Sequence, residues 1–393
     1  MLLLTAEPPH PGTAGGIVLH RLFQDYPPER LLVMTSVQVP RDDRRLPCRF
    51  VHAPLAVDRL QRTRYWPWRN RLSAWGATRL LPLQGLTRTA DRFAPGVVVA
   101  LMQDSWSYTR AFRLARRLRR PLLLLVHDLP HLFEPLSGRL QRQQRVRDAA
   151  ISRAAAGVLL ISEGMKRWFA TEYHVNGDVL LPPRSAEPSG GDPADNLNLK
   201  QPGALSVGYA GGLHYGYGEQ LLRLLPALRA TGTKLHLFTD APAGEVAPLR
   251  EATDVITFHR RSARPEEAWE RLRACCDVVL QPYLDPPGAH ALQYRTHFPS
   301  KLGDALSLGL PLLVTGPADA SGVVWCRARP DSAVVLTAAG EASIQAALLE
   351  LRRDGIRRAE LGRGAQRWAS AFDPAGLRAA LVDQLRRLVP TAS

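Results

Sequence analysis

The sequence predicts an α/β protein built from two Rossmann-like domains. The chain has 393 residues, which is too long for one ordinary hydrophobic core. Short runs of Val and Leu, bounded by Pro, Gly or Asp, alternate with helical patterns. This alternation is typical of a parallel sheet covered by helices on both faces. The series occurs twice, on either side of a Pro-, Gly- and Ser-rich stretch at 183–203 that lacks apolar periodicity.

Each series contains six predicted strands. They are expected at 1–6, 30–37, 97–103, 121–128, 156–162 and 178–183, and again at 205–211, 234–240, 254–260, 277–283, 311–317 and 332–337. Helical patterns at 108–120, 137–156, 219–230 and 265–276 separate strands, and further helices over 341–389 close the chain. The predicted organisation is a first domain at 1–183, a linker at 184–203, a second domain at 204–375 and a last helix, 376–393, that can cross back to the first domain. Ligands of such sheets bind outside the carboxyl ends of the strands, so two facing domains would leave a cleft there.

The positive charge is concentrated in the first half of the chain. The net charge is +15, and residues 1–183 hold 27 Lys and Arg against 14 Asp and Glu, whereas the rest holds 24 against 22. This asymmetry indicates an acidic partner, such as an anionic membrane surface or a phosphorylated acceptor. The alternative is a compositional bias toward Arg. No RNA- or DNA-binding motif accompanies the arginines, so nucleic acid is not an expected partner.

The segment RTRYWPWRNRLSAW, 62–75, mixes arginines with three tryptophans. Such a mixture suits a membrane interface, where aromatic rings lie at headgroup level and cations bind phosphates. An acceptor-binding loop and a helix that packs its tryptophans inward are the alternatives.

Targeting and cysteine patterns favour a cytoplasmic protein, with peripheral attachment to the inner face of the membrane left open. No run approaches 18 apolar residues, and the first ten residues lack the basic region of a signal peptide. The four cysteines show no metal or redox spacing and are predicted to be free thiols; they are Cys48, Cys275, Cys276 and Cys326.

The segment THFPSKLGDALSLGLPLLVTGP, 296–317, predicts an anion site. Pro299 fits the first position of a helix, where its missing N–H costs nothing. Lys301 then lies in the first turn, although a helix N-terminus already carries a partial positive charge. An anion bound at that turn would explain both features. The alternative is a surface ion pair between Lys301 and Asp304, three residues further on.

Glycine pairs and a histidine mark other strand ends. Gly15-Gly16 and Gly211-Gly212 follow the first strand of each series, where glycine lets backbone N–H groups approach a phosphate. A tight turn would explain them almost as well. His127 ends the strand LLLLVHD, where it is either a ligand-binding residue or a hydrogen-bonded core histidine.

In this order, the segments resemble the retaining glycosyltransferases of family four (glycosyl transferases group 1), which have the GT-B fold of two facing Rossmann-like domains. The resemblance rests on PPHPGTAGGIVLHRLF, LLLLVHD, GVLLISEGMKRWF, SVGYAGGLHYGYGEQLLRLL, CDVVLQPY and the 296–317 segment. It implies transfer of a sugar from a nucleotide-diphosphate donor to an acceptor hydroxyl with retention of configuration. The implied pathway is polysaccharide, cell-envelope or glycoconjugate biosynthesis, with a glycan, lipid-linked or small-molecule acceptor.

The resemblance also implies roles for single residues. It assigns the catalytic roles to His127, Lys301 and Asp304. It assigns donor binding to Gly15, Gly16, Gly211, Gly212, Arg260, Arg261, Thr296, Phe298, Pro299 and Ser300. Two positions depart from the family pattern. Asp304 is a shorter acid where a Glu usually holds the ribose hydroxyls, and Thr296 replaces the other Glu of the pattern. Arg260 or Arg261 would replace the basic residues that the family places near the loop at 208–222.

The expected mechanism needs no metal and no cofactor. No Asp-x-Asp motif is present to hold a divalent cation against a diphosphate. No protein nucleophile is evident, so front-face attack by the acceptor hydroxyl is expected, with the leaving phosphate taking its proton. The alternatives are a nucleotide-sugar epimerase on the same fold and a non-catalytic nucleotide-sugar-binding protein.

Overall fold

The computed structural model describes residues 1–12, 15–40, 42–60, 63–80, 83–133, 136–185, 192–214, 216–260, 264–283, 289–337 and 340–389. The chain forms two compact units, each of which is described by itself. The first comprises Met1–Leu181, Thr296–Phe298 and Ala375–Ser393. The second comprises Pro182–Arg295 and Pro299–Pro374.

The first unit contains a parallel sheet with the order β3-β2-β1-β4-β5-β6-β7. The strands are β1 (Leu2–Thr5), β2 (Leu32–Thr35), β3 (Arg49–His52), β4 (Val98–Leu101), β5 (Leu122–Val126), β6 (Gly157–Leu160) and β7 (Asp178–Val179). The helices are α1 (Gly16–Phe23), α2 (Trp66–Ala74), α3 (Gln84–Phe93), α4 (Ser105–Leu118), α5 (Pro130–Phe133), α6 (Gly138–Ala154) and α7 (Glu163–Trp168).

Burial on both faces explains the apolar strands of this sheet. Every residue of β1, β2, β4 and β5 is buried, because helices cover both sides of a parallel sheet. The last helix of the chain, α16 (Pro374–Leu388), adds Leu381 and Leu385 to the same core. The C-terminal helix therefore packs on the first unit.

The second unit repeats the design with the sheet order β10-β9-β8-β11-β12-β13. Its strands are β8 (Ser206–Ala210), β9 (Lys234–Thr239), β10 (Ile256–Arg260), β11 (Val278–Pro282), β12 (Leu312–Thr315) and β13 (Ala333–Leu336). Its helices are α8 (Tyr217–Thr231), α9 (Ala243–Arg250), α10 (Pro265–Cys275), α11 (Ala289–Thr296), α12 (Leu302–Ser307), α13 (Ser321–Arg327), α14 (Glu341–Arg353) and α15 (Gly355–Ala369).

The predicted α/β class is confirmed, since both sheets are parallel and flanked by helices. The twelve predicted strands correspond to β1, β2 and β4–β13. The prediction missed β3, whose residues are exposed or half-buried because the strand lies at the sheet edge. Its sequence, RFVH, therefore lacks the continuous apolar run that marked the others.

The predicted linker at 184–203 differs from the observed arrangement. Its described residues, 184–185 and 192–203, belong to the second unit and include a 3₁₀ helix at Pro193–Leu197. The guanidinium of Arg358, on α15, is buried and donates hydrogen bonds to the Asn196 and Leu197 carbonyl oxygens, both at 3.0 Å. These bonds satisfy the turn's backbone, so the segment is fixed to the second unit.

Candidate functional site

The strand order places a candidate site in each unit. β1 lies between β2 and β4, and β8 lies between β9 and β11. Connections leave such a first strand in opposite directions, which opens a crevice outside the carboxyl ends of the two strands. Both glycine pairs singled out in the sequence follow these central strands.

Lys301 lies on aromatic rings in the second unit. Its Nζ is 3.9 Å from the ring centroid of Tyr209 and 4.6 Å from that of Tyr217. No carboxylate among the described residues forms an ion pair with it. Desolvation lowers the pKa of Lys301 to about 7. The ammonium thus has π-electron contacts but no counter-charge from the described part of the chain, which suits it to bind an anion.

The glycine loop after β8 packs directly against this ammonium. Gly211 has a φ of 146°, and a Cβ there would lie 2.9 Å from Lys301 Nζ. Its N–H donates to the Phe238 carbonyl oxygen at 3.0 Å, so that N–H is already used. The carbonyl of Gly212 accepts a 2.6 Å bond from the Tyr209 hydroxyl. Both the backbone conformation and the lack of space therefore require glycine at 211.

The helix predicted to begin at Pro299 begins three residues later. Pro299, Ser300 and Lys301 form a turn in which the Leu302 N–H donates to the Pro299 carbonyl at 3.1 Å. Lys301 is then the N-cap residue of α12, and its carbonyl accepts from the Ala305 N–H at 2.9 Å. Because this i to i+3 hydrogen bond closes a tighter turn than an α-helix has, the regular helix begins only after it. Lys301 still lies at the helix N-terminus.

Asp304 does not pair with Lys301. The two residues lie in the described chain and form no ion pair, so that alternative is wrong. The Asp304 carboxylate is buried, and its Oδ1 accepts a 2.7 Å hydrogen bond from the Ser185 N–H. One carboxylate oxygen therefore holds the backbone at 185.

Arg260 is separated from this site. Arg260 is the exposed last residue of β10, and the order β10-β9-β8 places it two strands from the glycine loop, about 10 Å across the sheet. Its carbonyl accepts a 3.1 Å hydrogen bond from Arg271. Arg261 lies outside the described residues.

Sequence reasoning missed the tyrosines of this site. Tyr209 and Tyr217 contact Lys301, and Tyr283 follows β11 on the other side of the crevice. The Tyr283 hydroxyl is buried without a hydrogen-bond partner in the described chain. A Cβ on Gly322 would lie 2.1 Å from that hydroxyl. The sequence signal that could have identified Tyr209 and Tyr283 is the Tyr near the end of each strand, in SVGYAGG and DVVLQPY.

In the first unit, the glycine pair adjoins two polar side chains that the sequence reasoning also missed. Gly15 is the N-cap residue and Gly16 the first residue of α1. A Cβ on Gly15 would lie 2.6 Å from Glu7 Oε2 and 3.2 Å from Gln103 Nε2. Glu7 accepts a hydrogen bond from the Gly15 N–H, and burial raises its pKa. Glu7 Oε2 and Gln103 Oε1 are buried without partners in the described chain, so they can accept hydrogen bonds from a hydroxylated ligand.

His127 follows β5 in the first unit. It is half-buried, and desolvation lowers its pKa to about 4, so the imidazole is neutral at neutral pH. The neighbouring Asp128 lies with its Oδ1 3.2 Å from His297 Nδ1. His297, which the sequence reasoning did not select, comes from the short segment that clusters with this unit.

Thr296 and Phe298 belong to the same short segment. Both side chains are buried, and the Thr296 carbonyl accepts a 2.5 Å hydrogen bond from the Ser162 hydroxyl. The segment is grouped with the first unit, whereas Pro299 and Ser300 belong to the second.

Helix α2 presents its aromatic residues outward. Tyr65, Trp66, Trp68 and Trp75 are between 43% and 60% exposed, so the alternative of inward-packed tryptophans is wrong. The buried face is polar instead, because Arg69 forms ion pairs with Asp58 at 3.0 Å and Asp104 at 2.6 Å. These bonds anchor the polar face against the unit and leave the rings in solvent.

No helix in the described part of the chain is long and apolar enough to span a bilayer.

Comparison with known proteins shows the fold. No protein-family model and no curated protein matches the chain. Among solved structures, HepE from Anabaena in complex with UDP-glucose is similar with a TM-score of 0.71 at 17% identity, covering 98% of this chain and 99% of that one. Sucrose-phosphate synthase from Thermosynechococcus elongatus gives 0.68 at 14% identity, covering 99% of each chain. WaaG, a glycosyltransferase of lipopolysaccharide biosynthesis, gives 0.61 at 13% identity over 98% and 99%. The chain therefore has the GT-B glycosyltransferase fold.

Proposed function

We propose that this protein transfers a hexose from a nucleotide-diphosphate donor to an acceptor hydroxyl with retention of anomeric configuration. The observation that carries the proposal is the ammonium of Lys301, which lies against two tyrosine rings at the carboxyl end of β8 and has no carboxylate partner among the described residues. A cation removed from water in this way is stabilised by an anion, and a diphosphate supplies one. The likeness to HepE, which was solved with UDP-glucose, supports a nucleotide-sugar donor.

The chemistry assigned to Lys301 is stabilisation of the leaving group. Negative charge grows on the diphosphate as the bond to the sugar breaks. A fixed cation at that point lowers the energy of the transition state more than that of the bound donor. The cationic role is thereby filled without a metal ion. Pro299 and Ser300, in the turn before Lys301, are assigned to the donor.

The proposed reaction is a front-face substitution. The acceptor hydroxyl attacks the face from which the diphosphate leaves, and the leaving phosphate takes its proton. Neutral His127 is assigned to the hydroxyls of the transferred sugar, since an uncharged imidazole can both donate and accept hydrogen bonds. Glu7 and Gln103 are assigned to the acceptor, because Glu7 Oε2 and Gln103 Oε1, which have no partner among the described residues, can accept hydrogen bonds from its hydroxyls.

Thermal stabilisation by UDP, GDP, ADP and TDP tests the donor site. A nucleotide that binds only the folded state raises the Tm, and we expect one of the four to do so. Lys301→Ala should abolish the shift, while Lys200→Ala, the same change elsewhere in the second unit, should retain it. Equal shifts in wild type and Lys301→Ala would remove the proposed anion site.

Product analysis separates the proposed transferase from the alternatives. Proton NMR of the product should show the anomeric configuration of the donor, and an inverted product would refute the front-face mechanism. Turnover of the donor without any acceptor would indicate an epimerase. Nucleotide-sugar binding without turnover, against a range of glycan and lipid-linked acceptors, would indicate a binding protein.

The acceptor is proposed to be lipid-linked and used at the inner face of the membrane, in polysaccharide or cell-envelope biosynthesis. The exposed rings around α2 are flanked by exposed Arg64 and Arg71, whose guanidinium carbons lie 4.9 Å and 5.1 Å from the ring centroids of Tyr65 and Trp68. Aromatic rings beside cations match an anionic lipid surface. Trp68→Ala should weaken sedimentation with anionic liposomes without lowering the Tm. Failure of the wild type to sediment with such liposomes would exclude the surface as a membrane contact.

A further inference from the structure

A histidine and two adjacent cysteines meet in the second unit, outside the site described above. His236 lies within β9, Cys275 is the last residue of α10, and Cys276 follows it. One ring nitrogen of His236 and the two sulfur atoms lie within 4.8 Å of one another. The two sulfur atoms are 3.6 Å apart. These residues are about 40 positions apart in sequence, so no local spacing announces them.

The orientation of His236 leaves one ring nitrogen unused. Its Nδ1 is 2.9 Å from His259 Nε2, on the neighbouring strand β10. Its Nε2 has no hydrogen-bond partner in the described chain, and it is shielded from water because the whole residue is only 5% exposed. A buried polar atom without a partner is costly, and a bound ligand would satisfy it.

The geometry matches a tetrahedral thiolate site. With zinc–sulfur bonds of about 2.3 Å, two sulfur ligands of a tetrahedral ion lie about 3.8 Å apart, close to the separation seen here. Two thiolates with one imidazole form a donor set that zinc and similar soft divalent cations prefer. His259 is placed as the outer partner that usually fixes a ligating imidazole.

Access is also compatible with a metal. Cys276 is buried, but Cys275 is half-buried, so an ion can enter from the Cys275 side and keep a water as its fourth ligand.

We propose that His236, Cys275 and Cys276 bind one thiophilic divalent cation of the zinc class. The ion forms bonds to both sulfurs and to His236 Nε2, and any thiol protons still present are released to water. His236 keeps its proton on Nδ1 and donates it to His259 Nε2, 2.9 Å away. The bound ion would link β9 to the end of α10 and stabilise the second unit. The proposal does not depend on the proposed transferase activity.

Cobalt titration of the full chain, reduced and freed of metal by a chelator, tests the site. We expect one equivalent of Co²⁺ to bind with a sulfur-to-cobalt charge-transfer band and intense tetrahedral d–d bands, and Zn²⁺ to displace it. Cys275→Ser and His236→Gln should each weaken binding at least 10-fold. Cys48→Ser, which changes a half-buried thiol of the first unit, should leave it unchanged.

A second readout protects the test against misfolded variants. Zn²⁺ should raise the Tm of the wild type and of Cys48→Ser but not that of Cys275→Ser, whose half-buried site tolerates an isosteric change. Absence of the charge-transfer band in the wild type, or unchanged affinity in His236→Gln, would overturn the proposal. So would a loss of two hydrogen masses at Cys275–Cys276 in air together with no metal uptake by the reduced protein, because the pair would then be a disulfide-forming dithiol.

Discussion

Binding of a nucleotide-diphosphate sugar should take up a proton at Lys301 above neutral pH. In the free protein, desolvation holds the pKa of this ammonium at about 7, against 10.5 in its ordinary range. A bound diphosphate favours the charged form and raises the pKa again. At pH 8 only about one free molecule in ten carries the charged lysine, and at pH 9 about one in a hundred.

The magnitude of the effect follows from these populations. If only the charged form binds the diphosphate, the apparent Kd is divided by the charged fraction. The Kd should therefore rise about 10-fold per pH unit above 7 and about 100-fold at pH 9, which corresponds to about 2.7 kcal/mol. Near pH 8, binding should take up about 0.9 proton.

Isothermal titration calorimetry in buffers of different ionisation enthalpy measures this uptake. The ligand should be a nucleotide-diphosphate sugar, because its phosphates do not titrate between pH 6 and 9. Lys301→Ala should bind weakly and without uptake, and Lys200→Ala should behave as wild type. An affinity that does not change between pH 6 and 9 would contradict the predicted coupling between diphosphate binding and protonation of Lys301.

Three further predictions concern stability. Gly211→Ala should lower the free energy of unfolding by about 1–3 kcal/mol, because φ at this position is 146° and the new Cβ would lie 2.9 Å from Lys301 Nζ. The control is Gly244→Ala, in open space on α9, which should not destabilise the protein. Urea unfolding of the two variants measures the difference. Burial raises the pKa of Asp148 to about 7, so the contribution of this residue to folding stability is present at low pH and is lost as the pH rises toward 7. The stability of Asp148→Asn relative to wild type should therefore increase between pH 4 and 8. A difference in Tm that stays constant over this range would contradict the prediction. Leu381→Ala, in the core of the first unit, should cost about 2–5 kcal/mol in urea unfolding, while the exposed Ile356→Ala should change stability by less than about 0.5 kcal/mol; equal effects would show that α16 does not pack in that core.

Much of the fold could be predicted because its signals are local. Strands buried on both faces need unbroken apolar runs, so β5, with the sequence LLLLV, is legible from sequence alone. The edge strand β3 was not predicted, because a strand exposed to solvent on one side does not need an unbroken apolar run. The turn at Pro299–Lys301 was not predicted either, because the sequence pattern does not fix the end of a helix to within a few residues.

Candidate residues could be selected from the sequence only where a single segment contains the signal. A cation beside a helix start would be explained by a bound anion, and this interpretation led to Lys301 as part of a predicted anion site. In the second unit, Tyr209 lies on β8 and Tyr217 on α8, and in the first unit Glu7 and Gln103 follow β1 and β4. The approach of the residues within each unit depends on how its strands and helices pack. Pairing between strands is long-range, so no window of sequence records it.

The sequence by itself determined the two parallel sheets, the glycine turns after their central strands and the position of a cation at the start of α12, because each depends on residues adjacent along the chain. Tertiary structure alone decided which groups meet. In the folded chain, the Asp304 carboxylate accepts a hydrogen bond from the Ser185 N–H, His297 lies beside Asp128, and His236 lies next to the two cysteines. Burial and hydrogen bonding between distant elements fix these contacts, and local propensity has no part in them.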